Sequence, residues 1–258
     1  MDLRTILEKF ASGVISLDEV EKQISIHAVE KIEDIAKLDI HREVRKGMPE
    51  IIYAESKEQR DIIRIAGAAT KRNGQVVVSR VRKNELAKVA NALKKKGLTV
   101  ETGKNSTILL ASEKSFIHKN SGAKIGIMAA GTSDIGVAEE ARLVAKAMGC
   151  QAITSYDIGI AGMHRLFPAL KEMKEQNVSV IIVVAGMEGA LASVVASMVD
   201  IPVVGVPTSV GYGFGANGVA ALASMLQSCT LGLAVVNIDN GVGAGAYAAS
   251  IAKKMSRK

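Results

Sequence analysis

Lys124-Ile125-Gly126-Ile127-Met128-Ala129-Ala130-Gly131-Thr132-Ser133-Asp134 sets a short apolar run directly against a glycine, two hydroxyls and a carboxylate. A run of this length ended by a turn signal reads as a buried strand with a polar loop at its carboxyl end. The same pattern recurs down the chain, with strands predicted at Ala152–Tyr156, Ser179–Ala185, Val203–Val206 and Leu233–Ile238 and helical patterns between and after them. Five such repeats imply a parallel sheet with helices on both faces, because right-handed crossovers leave few other solutions. The expected fold is α/β, doubly wound. In a flavodoxin-like strand order the first and third strands are neighbours, so the loops bearing Ser133 and Glu188 would face each other at the switch point.

Upstream of this region the composition changes. Residues 1–120 hold 40 charged residues and 6 glycines, and residues 121–258 hold 19 and 18. A boundary is therefore expected in the polar stretch from Ser112 to Gly122, giving a domain at 1–120 and another at 121–258. The first 46 residues read as two or three amphipathic helices, and Ser16-Leu17-Asp18-Glu19 matches a capping box. Beyond them come a strand at Pro49–Tyr53, a helix at Lys57–Thr70, a strand at Gln75–Ser79 and a helix at Glu85–Lys96. One or two further strands follow around Gly103, which completes a small α/β unit. Arg80, Arg82 and Lys83 form either a solvated face or a phosphate contact.

With 258 residues and 48% apolar content, there is ample material for one large core or two modest ones. Aromatics are 3% with no Trp, too few for a stacking platform on single-stranded nucleic acid. The net charge of +7 comes mainly from residues 1–120 and a terminal tail of Lys253, Lys254, Arg257 and Lys258, so it reads as solvated surface rather than a nucleic-acid patch. Cys150 and Cys229 make neither a disulfide framework nor a metal-binding pair. No leader pattern opens the chain, and no membrane span is expected. A cytoplasmic protein is expected, with no membrane partner.

The polar loops carry the chemistry. Gly131-Thr132-Ser133-Asp134 offers hydroxyls and backbone N–H groups to an anion at a helix start, or Ser133 or Asp134 simply caps that helix. His164 follows Gly162-Met163 and precedes Arg165, in a glycine-punctuated loop suited to proton transfer near a phosphate; the alternative is a surface histidine. Gly186-Met187-Glu188-Gly189 follows the strand at Ser179–Ala185. Its carboxylate is a helix-start residue, a general acid/base or a metal ligand, and the residues alone do not separate these. Cys229 follows the helical run Val219–Gln227, outside a helix C-terminus rather than at an N-terminus that would activate a thiol, so a buried structural cysteine and a nucleophile both remain open. Gly211-Tyr212-Gly213-Phe214-Gly215 reads as a covering loop.

Taken in order, Gly131-Thr132-Ser133-Asp134, Gly162-Met163-His164-Arg165, Ala185-Gly186-Met187-Glu188-Gly189-Ala190 and Pro202-Val203-Val204-Gly205-Val206-Pro207 resemble the PurE-type aminoimidazole ribonucleotide carboxylases and mutases. Those enzymes carry a Gly-Gly-Ala-Ala-His loop where this chain has Met187-Glu188-Gly189, and no thiol comparable to Cys229. With its N-terminal extension, the whole chain is similar to the LarB family of carboxylase/hydrolases that begin nickel-pincer nucleotide cofactor synthesis.

That resemblance implies an enzyme acting on nicotinic acid adenine dinucleotide with CO2 or bicarbonate. Cys229 would add to the electron-poor pyridinium, making it nucleophilic enough to capture CO2 at C5. Glu188 and His164 would move protons, while Gly131, Thr132, Ser133, Asp134, Arg165, Gly186 and Met187 would bind substrate. Hydrolysis of the phosphoanhydride would use Mg²⁺, with Asp134 and Asp239 as its ligands; neither biotin nor ATP is expected. Related sheets assemble as octamers, and the small-residue helix Ala244 to Ala252 suits close packing in a homo-oligomer. The rival readings are an aminoimidazole ribonucleotide carboxylase or mutase and a non-catalytic adenine dinucleotide sensor.

Overall fold

The computed structural model of the protein describes residues 3–24, 29–32, 36–39, 42, 46–117 and 120–256. Two short helices open it, α1 (Leu3–Ala11) and α2 (Leu17–Ile24). The capping box forms as expected, with the Glu19 amide donating to Ser16 Oγ and the Ser16 amide to Glu19 Oε2. Next come β1 (Val29–Ile32) and β2 (Ala36–Asp39), paired antiparallel, where the sequence reading allowed a third helix. Apolar residues every third position fit a helix, but a segment this short satisfies more backbone groups by strand pairing than by one or two helical turns.

A four-stranded sheet follows, built from β3 (Ile51–Tyr53), β4 (Gln75–Ser79), β5 (Thr99–Thr102) and β6 (Leu109–Ser112), with α3 (Gln59–Asn73) and α4 (Lys83–Lys95) between. Its order is β3-β4-β6-β5, with β3 parallel to β4 and the other pairs antiparallel. Side chains alternate between faces. Val76, Val78, Leu109 and Ala111 pack with Ile62, Ile65, Val89 and Leu93 of the two helices, while Val77, Ile108 and Leu110 join the core of the second unit.

That second unit contains β7 (Lys124–Ala129), α5 (Ile135–Ala147), β8 (Gln151–Tyr156), α6 (Leu166–Glu175), β9 (Val180–Ala185), α7 (Ala190–Met198), β10 (Val203–Pro207), α8 (Val219–Leu226), β11 (Leu233–Val235) and α9 (Gly241–Met255). All five strands are parallel, in the order β11-β10-β9-β7-β8, which is the flavodoxin-like order. Ile125, Ile127, Ile182 and Val206 face α5 and α9; Met128, Ile181, Val183 and Val203 face α6, α7 and α8. The last strand is three residues long rather than reaching Ile238, because the chain leaves the sheet edge toward a turn at Asp239.

The small-residue face of α9 is occupied inside the protomer. A Cβ on Gly245 would lie 2.6 Å from the Ala141 carbonyl oxygen, and one on Gly241 would lie 2.2 Å from that of Val137, so backbone meets backbone along α5. This corrects the expectation that the face is free for assembly.

Across its other side α5 meets the small sheet. Gln75 Nε2 donates to the Ala147 carbonyl at 2.8 Å. Arg142 bonds Glu101 at 2.9 Å and Glu139 at 2.7 Å, and Tyr156 donates to Glu139 at 2.6 Å. Burial alone raises the Glu139 carboxyl, but the bonds from Arg142 and Tyr156 outweigh it and leave the group below its ordinary value. Among the described residues no helix is long and apolar enough to cross a membrane.

Candidate active site

Because β7 lies beside β9, the loops after them meet at the carboxyl edge. Asp134 fastens them together. Its Oδ2 accepts the Gly131 amide at 2.8 Å, its Oδ1 accepts the Thr208 hydroxyl at 2.6 Å, and the Gly186 amide also bonds it. The carboxylate is buried, and burial pushes its pKa up. Its three donors oppose that and Asp239 adds to it, leaving the group above its ordinary value. Thr132 and Ser133 stay exposed at the start of α5, where hydroxyls and helix-start amides can meet a phosphate.

The Glu188 turn is backbone-strained. Met187 takes φ 51, and its amide donates to the Val210 carbonyl at 2.8 Å; the Gly189 amide returns to Gly186 at 2.9 Å. A Cβ on Gly186 would sit 2.4 Å from the Val210 oxygen, so no side chain fits there. Left-handed backbone on a non-glycine residue costs about 1–3 kcal/mol and persists where the surroundings impose it. Here it leaves Met187 and Glu188 exposed on the rim, with Glu188 two residues before α7.

His164 lies in the short helical turn Ile160–Arg165 and is exposed. Arg165 folds over Gly162 and pairs with Asp157 at 2.6 Å, which leaves its remaining N–H groups for a ligand. Among the described residues no hydrogen bond joins His164 to Ser133, Glu188 or Cys229.

Cys229 belongs to the connection from α8 to β11, so it is not one of the strand-to-helix loops at the carboxyl edge. Ser193 Oγ donates to Ser228 Oγ at 2.8 Å, the Thr230 amide donates to the same oxygen at 3.2 Å, and the Thr230 hydroxyl bonds the Ser193 carbonyl. Ser193 is the fourth residue of α7, so this turn packs against the side of that helix. The chain then enters β11 at the amino edge, where the Gly232 carbonyl accepts the Val203 amide at 3.0 Å; among the described residues no hydrogen bond joins Cys229 to Glu188. Cys229 is free and exposed, and the buried reading of it fails. Cys150 is the buried one; burial pushes its thiol up, and its sulfur lies near Ser121 Oγ and the Ala249 carbonyl.

Asp134 and Asp239 do not fit a resident magnesium ion. Both Asp134 oxygens already accept protein donors, and Asp239 Oδ1 accepts the Ser209 amide at 2.8 Å. Among the described residues no three His, Cys, Asp or Glu side chains converge as a cation cage.

Residues 29–113 match the LarB/PurE-like N-terminal domain, and residues 124–258 match the AIR carboxylase family. The chain belongs to the LarB-type proteins with a PurE-like domain. This places the LarB-type chain in an AIR-carboxylase-related superfamily of carboxylase-type enzymes. An uncharacterized protein of Methanocaldococcus jannaschii is 49% identical over 259 residues, spanning 99% of both chains. The N5-carboxyaminoimidazole ribonucleotide mutase of Thermotoga maritima is 33% identical over 133 residues, 50% of this chain and 74% of its own length. That of M. jannaschii is 31% identical over 129 residues, 49% and 77%.

Two buried polar residues near these loops escaped the sequence reading. Thr208 followed a strand as an ordinary loop residue, although it is fully buried. Glu140 is buried against α9, bonded by the Val242 amide and raised to about 7, chiefly by burial with Asp239 adding and Arg80 opposing. Its signal was a charge on a helix whose apolar residues run nearly all the way round, so that some charged side chain had to meet protein. Of the basic trio, Arg82 pairs with Glu85 at 2.9 Å, and Arg80 crosses to the Asp239 carbonyl at 3.4 Å.

Proposed function

We propose that this protein carboxylates C5 of the pyridinium ring of nicotinic acid adenine dinucleotide with CO2 and hydrolyses the phosphoanhydride. The products are pyridinium-3,5-biscarboxylic acid mononucleotide and AMP. One observation carries the reading: Cys229 is exposed on a turn held to α7 by Ser193, Ser228 and Thr230. A carboxylase of an aminoimidazole, whose ring is already nucleophilic, needs no such thiol.

The electron count closes without a redox partner. The Cys229 thiolate forms a C–S bond to a ring carbon and the ring nitrogen takes up the displaced electron pair, giving a neutral dihydropyridine. Its enamine carbon C5 attacks CO2. Loss of the C5 proton to a base, then departure of the thiolate, restores the aromatic cation with one carboxylate added. Glu188, on the rim at the start of α7, is assigned as that base, with His164 as a second proton carrier. Thr132 and Ser133 hold the ribosyl phosphate, with Arg165, Gly186 and Met187 beside it. No step is routed through a metal; magnesium enters only as a companion of the substrate phosphates. The free thiols fit a reducing compartment, the cytoplasm.

A homo-oligomer is part of the proposal. With α9 packed internally, the apolar side chains left exposed include Tyr212, Phe214, Val219, Leu226 and Leu231, around α8 and the covering loop.

The purine-type reading is favoured by the mutases that match half the chain. Against it, M. jannaschii has both such a mutase and a full-length relative of this chain. The test is incubation with bicarbonate, Mg²⁺ and either the dinucleotide or aminoimidazole ribonucleotide, followed by mass spectrometry. The expected product is one CO2 heavier than nicotinic acid mononucleotide. Carboxylation of the imidazole alone overturns the proposal, and binding of the dinucleotide without any product leaves a sensor.

A further inference from the structure

We propose that Arg80, supplied by the N-terminal unit, is a positioning residue for the carboxyl-edge site. On the reading that this edge binds substrate, it holds the turn at Asp239 and, through it, the loop after β10.

The backbone around Arg80 is fixed on both sides. The Ser79 carbonyl accepts the Ala54 amide at 2.9 Å, and the Val81 amide donates to the Thr107 carbonyl at 2.9 Å. Between them Arg80 is forced to φ 56, a left-handed conformation that an arginine adopts only under constraint. The side chain leaves the small sheet and reaches the second unit, where Nη2 donates to the Asp239 carbonyl at 3.4 Å.

Asp239 is equally constrained, at φ 54, and each of its polar groups has a task. Its amide donates to the Pro207 carbonyl at 2.9 Å, its carbonyl receives Arg80, and its carboxylate receives the Ser209 amide at 2.8 Å. One residue on, the Val210 carbonyl accepts the Met187 amide at 2.8 Å. A connected series of hydrogen bonds, the longest of them the one from Arg80, thus runs from Arg80 through Asp239, Ser209 and Val210 to the turn that presents Glu188. Asp239 acts on Asp134 and Glu140 as a like charge, and Arg80 supplies the opposing cation at Glu140. The AIR carboxylase match begins at residue 124, so this contact belongs to what the N-terminal unit adds to that domain.

The experiment uses the full chain as wild type, Arg80→Ala, Arg80→Lys and Arg80→Ala/Glu140→Gln. Hydrogen exchange of the unliganded protein is read at residues 209–214, and KM and kcat are read with the dinucleotide. Arg80→Ala is expected to speed exchange in that segment and to lower kcat/KM about tenfold, mainly through KM. Arg80→Lys recovers part of both, since an ammonium can still donate to a carbonyl. The double variant, which removes the buried like charge but restores no donor, keeps both defects. Unchanged exchange in Arg80→Ala overturns the proposal, as does full recovery in the double variant, which would make Arg80 a counter-charge alone. Because exchange is read without substrate, a wild type inactive on the dinucleotide defeats the functional reading and leaves this test standing.

Discussion

The Thr208 hydroxyl donates to Asp134 Oδ1 across 2.6 Å, and both residues are buried. That bond ties the loop after β10 to the loop after β7, so one carboxylate sets the relative position of two segments at the carboxyl edge. Replacing Thr208 with Val keeps the shape and removes the donor. A buried acceptor left without its partner costs about 1–3 kcal/mol. Urea unfolding of Thr208→Val should show a loss of that size, with weaker dinucleotide binding by calorimetry, while Thr208→Ser should stay close to wild type.

Glu140 makes stability depend on pH in an unusual direction. Its folded pKa, about 7, lies above the ordinary 4.5 chiefly because the carboxyl is buried. Between those values the folded state holds a proton that the unfolded state has released, so stability falls as pH rises through this window and levels off above it. The full effect is on the order of 3 kcal/mol. Glu140→Gln abolishes it: the variant should gain on wild type as unfolding measurements move from about pH 5 to about pH 7.5. Parallel pH curves for the two proteins would remove Glu140 from the account.

The architecture was readable because β7, β9 and β10 are buried on both faces and therefore nearly continuously apolar, while the polar loops punctuate them. The neighbouring positions of Ser133 and Glu188 followed from strand order alone. What could not be read depends on contacts between distant segments. Asp134 looked like a cap, a phosphate contact or a metal ligand, and only the fold brings Thr208 and Gly186 to it. Arg80 looked like a surface charge because its partner Asp239 lies 159 residues away. The glycines of α9 looked free for assembly because nothing in their own spacing reveals that α5 already covers them. The turn that carries Cys229 is held likewise by Ser193, which sequence distance conceals.

Gly245 offers a test of that internal packing. Ala is the better helix residue by about 1 kcal/mol, so on propensity alone Gly245→Ala stabilises. The added methyl, however, would stand 2.6 Å from the Ala141 carbonyl oxygen and 2.8 Å from its Cα. Both are backbone atoms of a packed helix and cannot swing aside. Overpacking of this kind costs about 1–3 kcal/mol, which outweighs the propensity gain. A lower melting temperature for Gly245→Ala is expected, with no change in oligomeric state by light scattering. A raised one would show that α5 and α9 are less tightly joined than the structure has them.

The two cysteines should separate cleanly. Cys229 is exposed and Cys150 is buried with a raised pKa, so limited alkylation at neutral pH should label residue 229 first by peptide mass mapping. Cys229→Ser should lower carboxylation at least about 10³-fold, because an alkoxide is not available at neutral pH to add to the ring. Dinucleotide binding should survive, since Thr132 and Ser133, proposed to hold the phosphate, are untouched. Cys150→Ser should leave turnover intact and cost stability instead, as it places a hydroxyl in an apolar core. Ser228→Ala falls between them: it removes the oxygen that accepts from Ser193 and from the Thr230 amide, and so loosens the turn without touching the sulfur. It should reduce kcat more than binding. Carboxylation that persists in Cys229→Ser would exclude covalent ring activation, and the polar rim would then have to act on a substrate that is nucleophilic already.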